Sequence, residues 1–174
     1  MEQTVLLPRL RAQPPVDPPV TDRLTMLRFA VATFDAESGL RDALVGLRLE
    51  GLRDDAFNCL ALDEVLARAM TIATLPQSKR HELAFSGQRR SISCTAGALA
   101  DCLDERLHAG APTLKAALEA WLIPRHAGQI QDSVEQGKIV LWVRPLDSEE
   151  EAVACRCLLA RSSYSVGVHD LVAR

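Results

Sequence analysis

One pattern occurs twice in this chain, and it restricts the fold more than any other feature. "LRFAVATF" from Leu27 to Phe34 offers strand-forming residues, and Asp35 then stands where a helix N-cap belongs. Leu40, Ala43, Leu44 and Leu47 follow at i, i+3, i+4 and i+7, Gly51 supplies a stop, and "FNCLAL" from Phe57 to Leu62 reads as a second strand. In the last third "KIVLWVRP" is a strand, Asp147 to Glu150 has capping-box spacing, a helix runs to about Ser162, and "SVGVHDLVA" closes as a strand. Asp35 and Glu37 match Asp147 and Glu149 at equal offsets from their strands. The chain therefore reads as two copies of a strand-helix-strand unit.

Each unit carries one helix whose apolar stripe needs a sheet face. Two such units can share a sheet with both helices on one side. The expectation is an α+β fold: a ferredoxin-like four-stranded antiparallel sheet from two βαβ halves, with a helical insertion between them. Residues 24 to 174 form this single domain, and the insertion spans about 63 to 137. A loop of that length needs structure of its own.

Within the insertion, Asp63 can cap a helix carrying Val65, Leu66, Ala69 and Met70, which Pro76 stops. "SKRHELAFSGQRRSIS" is polar and reads as a loop turning at Gly87, with at most a small hairpin. Thr95 starts a helix with Leu99, Cys102, Leu103 and Leu107 on one side and Gly110 after its end. Leu114, Ala117, Leu118, Trp121 and Leu122 form another amphipathic set stopped by Pro124, and "HAGQIQDSVEQ" makes a third helix ending at Gly137.

Residues 1 to 23 hold Pro8, Pro14, Pro15, Pro18 and Pro19 and lack a continuous apolar run, so they read as a mobile Pro-rich extension rather than a leader or an anchor. The formal net charge of -3 provides no general attraction to phosphate backbones or anionic lipid. With aromatics at 4%, stacking platforms for single-stranded nucleic acid are scarce, and no apolar stretch reaches bilayer length. Nucleic acid is therefore not expected as a partner, nor is an integral membrane segment. Five cysteines in apolar settings suit a reducing cytoplasm.

No reaction announces itself. Cys155 and Cys157 at i and i+2 of a helix point about 200° apart and cannot face one metal, with Cys155 on the packed side beside Ala152, Leu158 and Leu159. His81, His108, His126 and His169 occur singly, and the chain holds no P-loop, G-x-G-x-x-G or G-x-S-x-G. No catalytic residue, metal or cofactor is expected. The binding candidates are the basic cluster Lys79, Arg80, Arg89 and Arg90, joined by His81, and Arg125 with His126 just after Pro124, where an anion could sit at a helix start.

"FAVATFDAESGLRDALVGLRLEGL" and "LIPRHAGQIQDSVEQGKIVLWVRPLDSEEEAVACRCLL" together resemble the bacterial general stress protein family, over about half of the chain. The resemblance implies tandem strand-helix-strand halves and brings no catalytic residues or cofactor. The middle of that family is often glycine-rich and apolar, whereas here it carries Asp101, Asp104, Glu105, Arg106 and Lys115. The function expected is that of a non-catalytic cytoplasmic interaction or regulatory protein, with the stress-related role that the resemblance implies. A homodimer would form through the open sheet face or edges, with a protein partner on the helical insertion. The alternative is a sensor domain for a small anion or nucleotide.

Overall fold

A computed structural model describes residues 25–72, 75–85 and 87–173. The extension expected over residues 1 to 23 lies outside them. The described residues form six strands and six α-helices, in chain order β1 (Thr25–Phe34), α1 (Glu37–Leu49), β2 (Phe57–Leu62), α2 (Asp63–Ile72), β3 (Ser78–Phe85), β4 (Gln88–Thr95), α3 (Ala98–His108), α4 (Leu114–Leu118), α5 (Pro124–Glu135), β5 (Ile139–Val143), α6 (Ser148–Leu159) and β6 (Gly167–Ala173).

All six strands join one curled half-barrel sheet in the order β3-β4-β2-β5-β1-β6, with every neighbouring pair antiparallel. This overturns the four-stranded ferredoxin-like sheet expected from two βαβ halves. The middle of the chain does not stand aside as a helical insertion: its hairpin β3–β4 extends the sheet, with Leu60, Ala61 and Leu62 of β2 opposite Cys94, Ser93 and Ile92 of β4. Without that hairpin β2 would be an apolar edge open to aggregation.

The second difference lies in the layers. Strand residues paired across the sheet share a face, so the register places Phe29, Val31, Trp142, Asn58, Leu60 and Ile92 on one side, and Ala30, Ala32, Leu141, Cys59 and Ala61 on the other. The helices α1, α2 and α6 cover the second side, tied to it by Ser93 to Asp63 at 2.5 Å and Arg28 to Glu151 at 2.5 Å. Helices α3, α4 and α5, all from the middle segment, cover the first. The sheet is therefore sandwiched, and the open face from which a homodimer was expected is occupied. Double coverage also explains why β2 and β5 are buried at every residue, which an antiparallel sheet with one wet face would not show.

Several local expectations need correction. Asp35 does not cap α1, whose N-cap is Ala36 without a side-chain bond. Asp35 instead accepts a 2.9 Å hydrogen bond from the Tyr164 hydroxyl, which itself accepts one from Lys138 at 2.5 Å. Asp147 does cap α6, accepting from the amides of Glu149 and Glu150, while Glu150 accepts from the amide of Leu146. Thr95 ends β4 rather than starting a helix; its hydroxyl accepts from the Cys59 amide at 2.8 Å, and α3 begins at Ala98. In α6 the packed residues are Ala154, Cys157 and Leu158, whereas Ala152 and Leu159 are exposed, so the apolar side is rotated from the one expected and Cys157 rather than Cys155 is buried.

The far ends of the molecule are fastened by a few long-range contacts. Trp121, just after α4, donates from Nε1 to the carbonyl of Val172 in β6 at 3.1 Å. Phe29 and Trp142 meet edge to face at 5.7 Å between ring centres. Asn58 is 1% exposed in an otherwise apolar strand, and its side-chain amide donates to the carbonyls of Thr95 and Ala96 and accepts from the amide of Leu99. A Cβ on Gly97 would lie 2.4 Å from Asn58 Nδ2, and Gly97 holds a φ of 145°, so this junction admits glycine alone without strain.

A cleft along the β3 edge

Along β3 the sequence alternates Lys79, His81, Leu83 and Phe85 with Ser78, Arg80, Glu82 and Ala84. The first set faces α3, but two of its four members are charged or polar, so the period-two apolar signal of a strand is half erased. The α3 side explains their presence. Lys79 Nζ lies 2.8 Å from Asp101 Oδ1 and 2.7 Å from Asp104 Oδ2. The hydrogen bonds that Lys79 donates to Asp101 and then Asp104 push its ammonium upward from its ordinary pKa. His81 Nε2 lies 3.0 Å from Asp104 Oδ1 but off the N–H axis, so it forms no hydrogen bond. Burial, outweighing the Asp104 charge, lowers the His81 pKa. His108 closes α3 by meeting the carbonyl of Asp104 through Nδ1 at 2.7 Å.

The opposite set of β3 residues is held by a second network. Arg80 reaches Asp63 Oδ2 at 3.3 Å, Glu82 Oε1 at 3.1 Å and Ser91 Oγ at 2.7 Å. Ser91 donates a short hydrogen bond to Glu82, the foremost cause of that carboxyl's lowered pKa. Between the β3 edge and the end of α3 runs an open cleft of about 640 Å³, lined by residues 80 to 84, Arg89, Leu107, His108, Ala111 and Pro112.

The basic cluster expected as a binding site is thus split by its surroundings. Arg80 and Arg89 line the cleft together with His81 and His108. Lys79 is held by its two aspartates, and Arg90 donates to the carbonyl of Glu135 at 3.0 Å and lies 3.4 Å from Glu64. Arg89 is exposed and pairs with no carboxylate among the described residues. Arg125 and His126 do not line the cleft. Arg125 is exposed in the first turn of α5, and His126 packs edge to face on His169 of β6 at 5.2 Å. Burial first, then the neighbouring His126, lowers the His169 pKa.

The site residues that the sequence reading missed are His108, Asp101 and Asp104. The only local signal was the Asp104 to His108 spacing of one helical turn; the contacts to β3 span more than twenty positions of chain. Among the described residues no group of three or more His, Cys, Asp or Glu gathers as a metal site would, no helix is long and apolar enough to cross a membrane, and all five cysteines are free thiols. Burial pushes the Cys59 thiol up to about 12. Compared with known proteins, the chain matches no family model, no curated protein and no solved structure.

Proposed function

We propose that this protein is a non-catalytic interaction or regulatory protein of the cytoplasm that engages its partner in the cleft between β3 and the end of α3. The observation that supports this reading is Arg89, exposed and without a carboxylate partner among the described residues, beside a strand that has no outer neighbour among them. Among the described residues, the lining includes no serine, threonine, cysteine, tyrosine or lysine that could act as a nucleophile. Glu82, the one lining carboxylate, is engaged by Ser91 and Arg80 and is poorly placed to accept a proton from substrate. Four buried thiols, Cys59, Cys94, Cys102 and Cys157, support a reducing compartment. A role in stress responses rests on the resemblance noted above.

Peptide selection by phage display against the full chain tests the reading. Enriched peptides should bind the natural protein and lose about tenfold or more in affinity against an Arg89→Glu, His108→Glu double variant. Peptides that bind the two proteins equally, or no enrichment, would refute it. Arg89 and the two cleft histidines also favour a second reading, a small-anion sensor. Inorganic phosphate or a nucleotide should then raise the melting temperature of the natural protein and not of Arg89→Ala.

A further inference from the structure

We infer that the cleft receives an extended peptide as a seventh strand alongside β3, and that the peptide alternates apolar and acidic side chains. The inference rests on the proposed function and specifies the chemistry of the partner.

Strand register carries the first step. Phe85 and Gln88 close the β3–β4 hairpin across two residues, and Gly87 at its tip has a φ of 82°, in the left-handed region. The closing pair of such a hairpin exchanges backbone hydrogen bonds, and bonded pairs then alternate along the ladder. Phe85, Leu83, His81 and Lys79 therefore direct their amides and carbonyls toward β4. The Ala96 amide bonding to the Gln77 carbonyl at 2.6 Å continues the same parity. Arg80, Glu82 and Ala84 direct theirs outward, where β3 has no neighbouring strand among the described residues. These three residues line the cleft. The cleft thus offers a row of outward donors and acceptors at strand spacing, which an extended backbone can satisfy.

The two flanks set the side-chain preference. On the α3 side an added strand meets Leu83, Leu107, Ala111 and Pro112, with His81 and His108 at the margin. That flank suits an apolar side chain. On the other side it meets Arg80 and Arg89, with Glu82 already engaged by Ser91 and Arg80. Arg80 is shared with Asp63 and Glu82, while Arg89 has no carboxylate among the described residues, so this flank suits acidic side chains. Since successive residues of a strand point to opposite sides, the two flanks together call for alternation.

The test is fluorescence anisotropy with the full chain and a short labelled peptide alternating valine and glutamate. It should bind, and the analogue with lysine in place of glutamate should bind about tenfold more weakly. Arg89→Glu should reverse that preference. N-methylation of one alternating set of peptide amides should weaken binding by about tenfold, the scale of two backbone hydrogen bonds, and N-methylation of the other set should not. Equal affinity of the two methylated peptides overturns strand addition, as does failure of the natural peptide to bind. If methylation has no effect but Arg89→Glu still weakens binding, strand addition falls while the cleft-binding reading stands. Peptides selected by phage that ignore the double variant overturn both.

Discussion

At the scale of single residues, Asn58 shows how a polar group earns a place inside an apolar strand. Its three side-chain hydrogen bonds all go to the junction of β4 and α3, so it locks the middle segment to the sheet. Asn58→Ala should lower the unfolding free energy by about 1 to 3 kcal/mol, since the carbonyls of Thr95 and Ala96 would be left without that donor. Gly97→Ala should be destabilising too, because the new methyl would meet Asn58 Nδ2 at a distance real Cβ atoms do not adopt. Urea unfolding of the two variants and of the double variant checks the coupling: if the residues act as one junction, the double variant should lose less than the sum. Additive losses would mean that they act separately.

At the scale of elements, the two strand-helix-strand units differ where their sequences look most alike. Asp147 is the N-cap of α6, whereas Asp35 stands one residue before the α1 N-cap Ala36 and caps nothing. Tyr164 explains the difference: its hydroxyl donates to Asp35 and holds the carboxyl below its usual pKa, turning it away from the α1 amides and toward the loop before β6. Asp147→Ala should therefore cost about 1 kcal/mol by thermal or chemical unfolding, the usual worth of an N-cap. Asp35→Ala should leave the start of α1 as it was and loosen the loop around Tyr164, detectable as faster amide exchange there and not in the first turn of α1. The hairpin β3–β4 belongs at this scale as well. Lys79 and His81 occupy strand positions that face a helix; the aspartates of α3 make the Lys79 position acceptable for charge, while burial holds His81 below its usual pKa. Local periodicity registers only the charge.

At the scale of the whole molecule, His81 and His169 lie on the α3–α5 side of the sheet, and burial lowers the pKa of each. A histidine that resists protonation when folded binds fewer protons there than in the unfolded chain, where its value is near 6.5. Its contribution to stability is complete above that value and is lost as pH falls through 6.5 toward the lower folded value. Both groups act in the same direction, so stability should decline on acidification from pH 7.5 to about 5.5. A His81→Gln, His169→Gln variant should show a shallower decline over that window in urea titrations. An unchanged slope would show that other groups govern the acid limb.

Strand-forming runs, heptad-like helix stripes and the Asp147 cap were legible in the chain because each depends on residues within a turn or two of one another. So were β1, α1, β2, β5, α6 and β6, and the amphipathic sets near 99–107 and 114–122. The runs "VLWV" and "FNCLAL" even carried a signal that both faces of the sheet are covered, since a half-wet strand would alternate. Where the middle segment goes was not legible. The hairpin joins the sheet because β2 needs a neighbour, and α3 to α5 cross to the face opposite α1, α2 and α6 because Phe29, Trp142 and Leu60 need cover there. The cleft follows from both placements. Lys79 meets Asp101 and Asp104, and Arg80 meets Asp63, only after the sheet has formed, and ion pairs between distant segments leave no periodic trace in sequence.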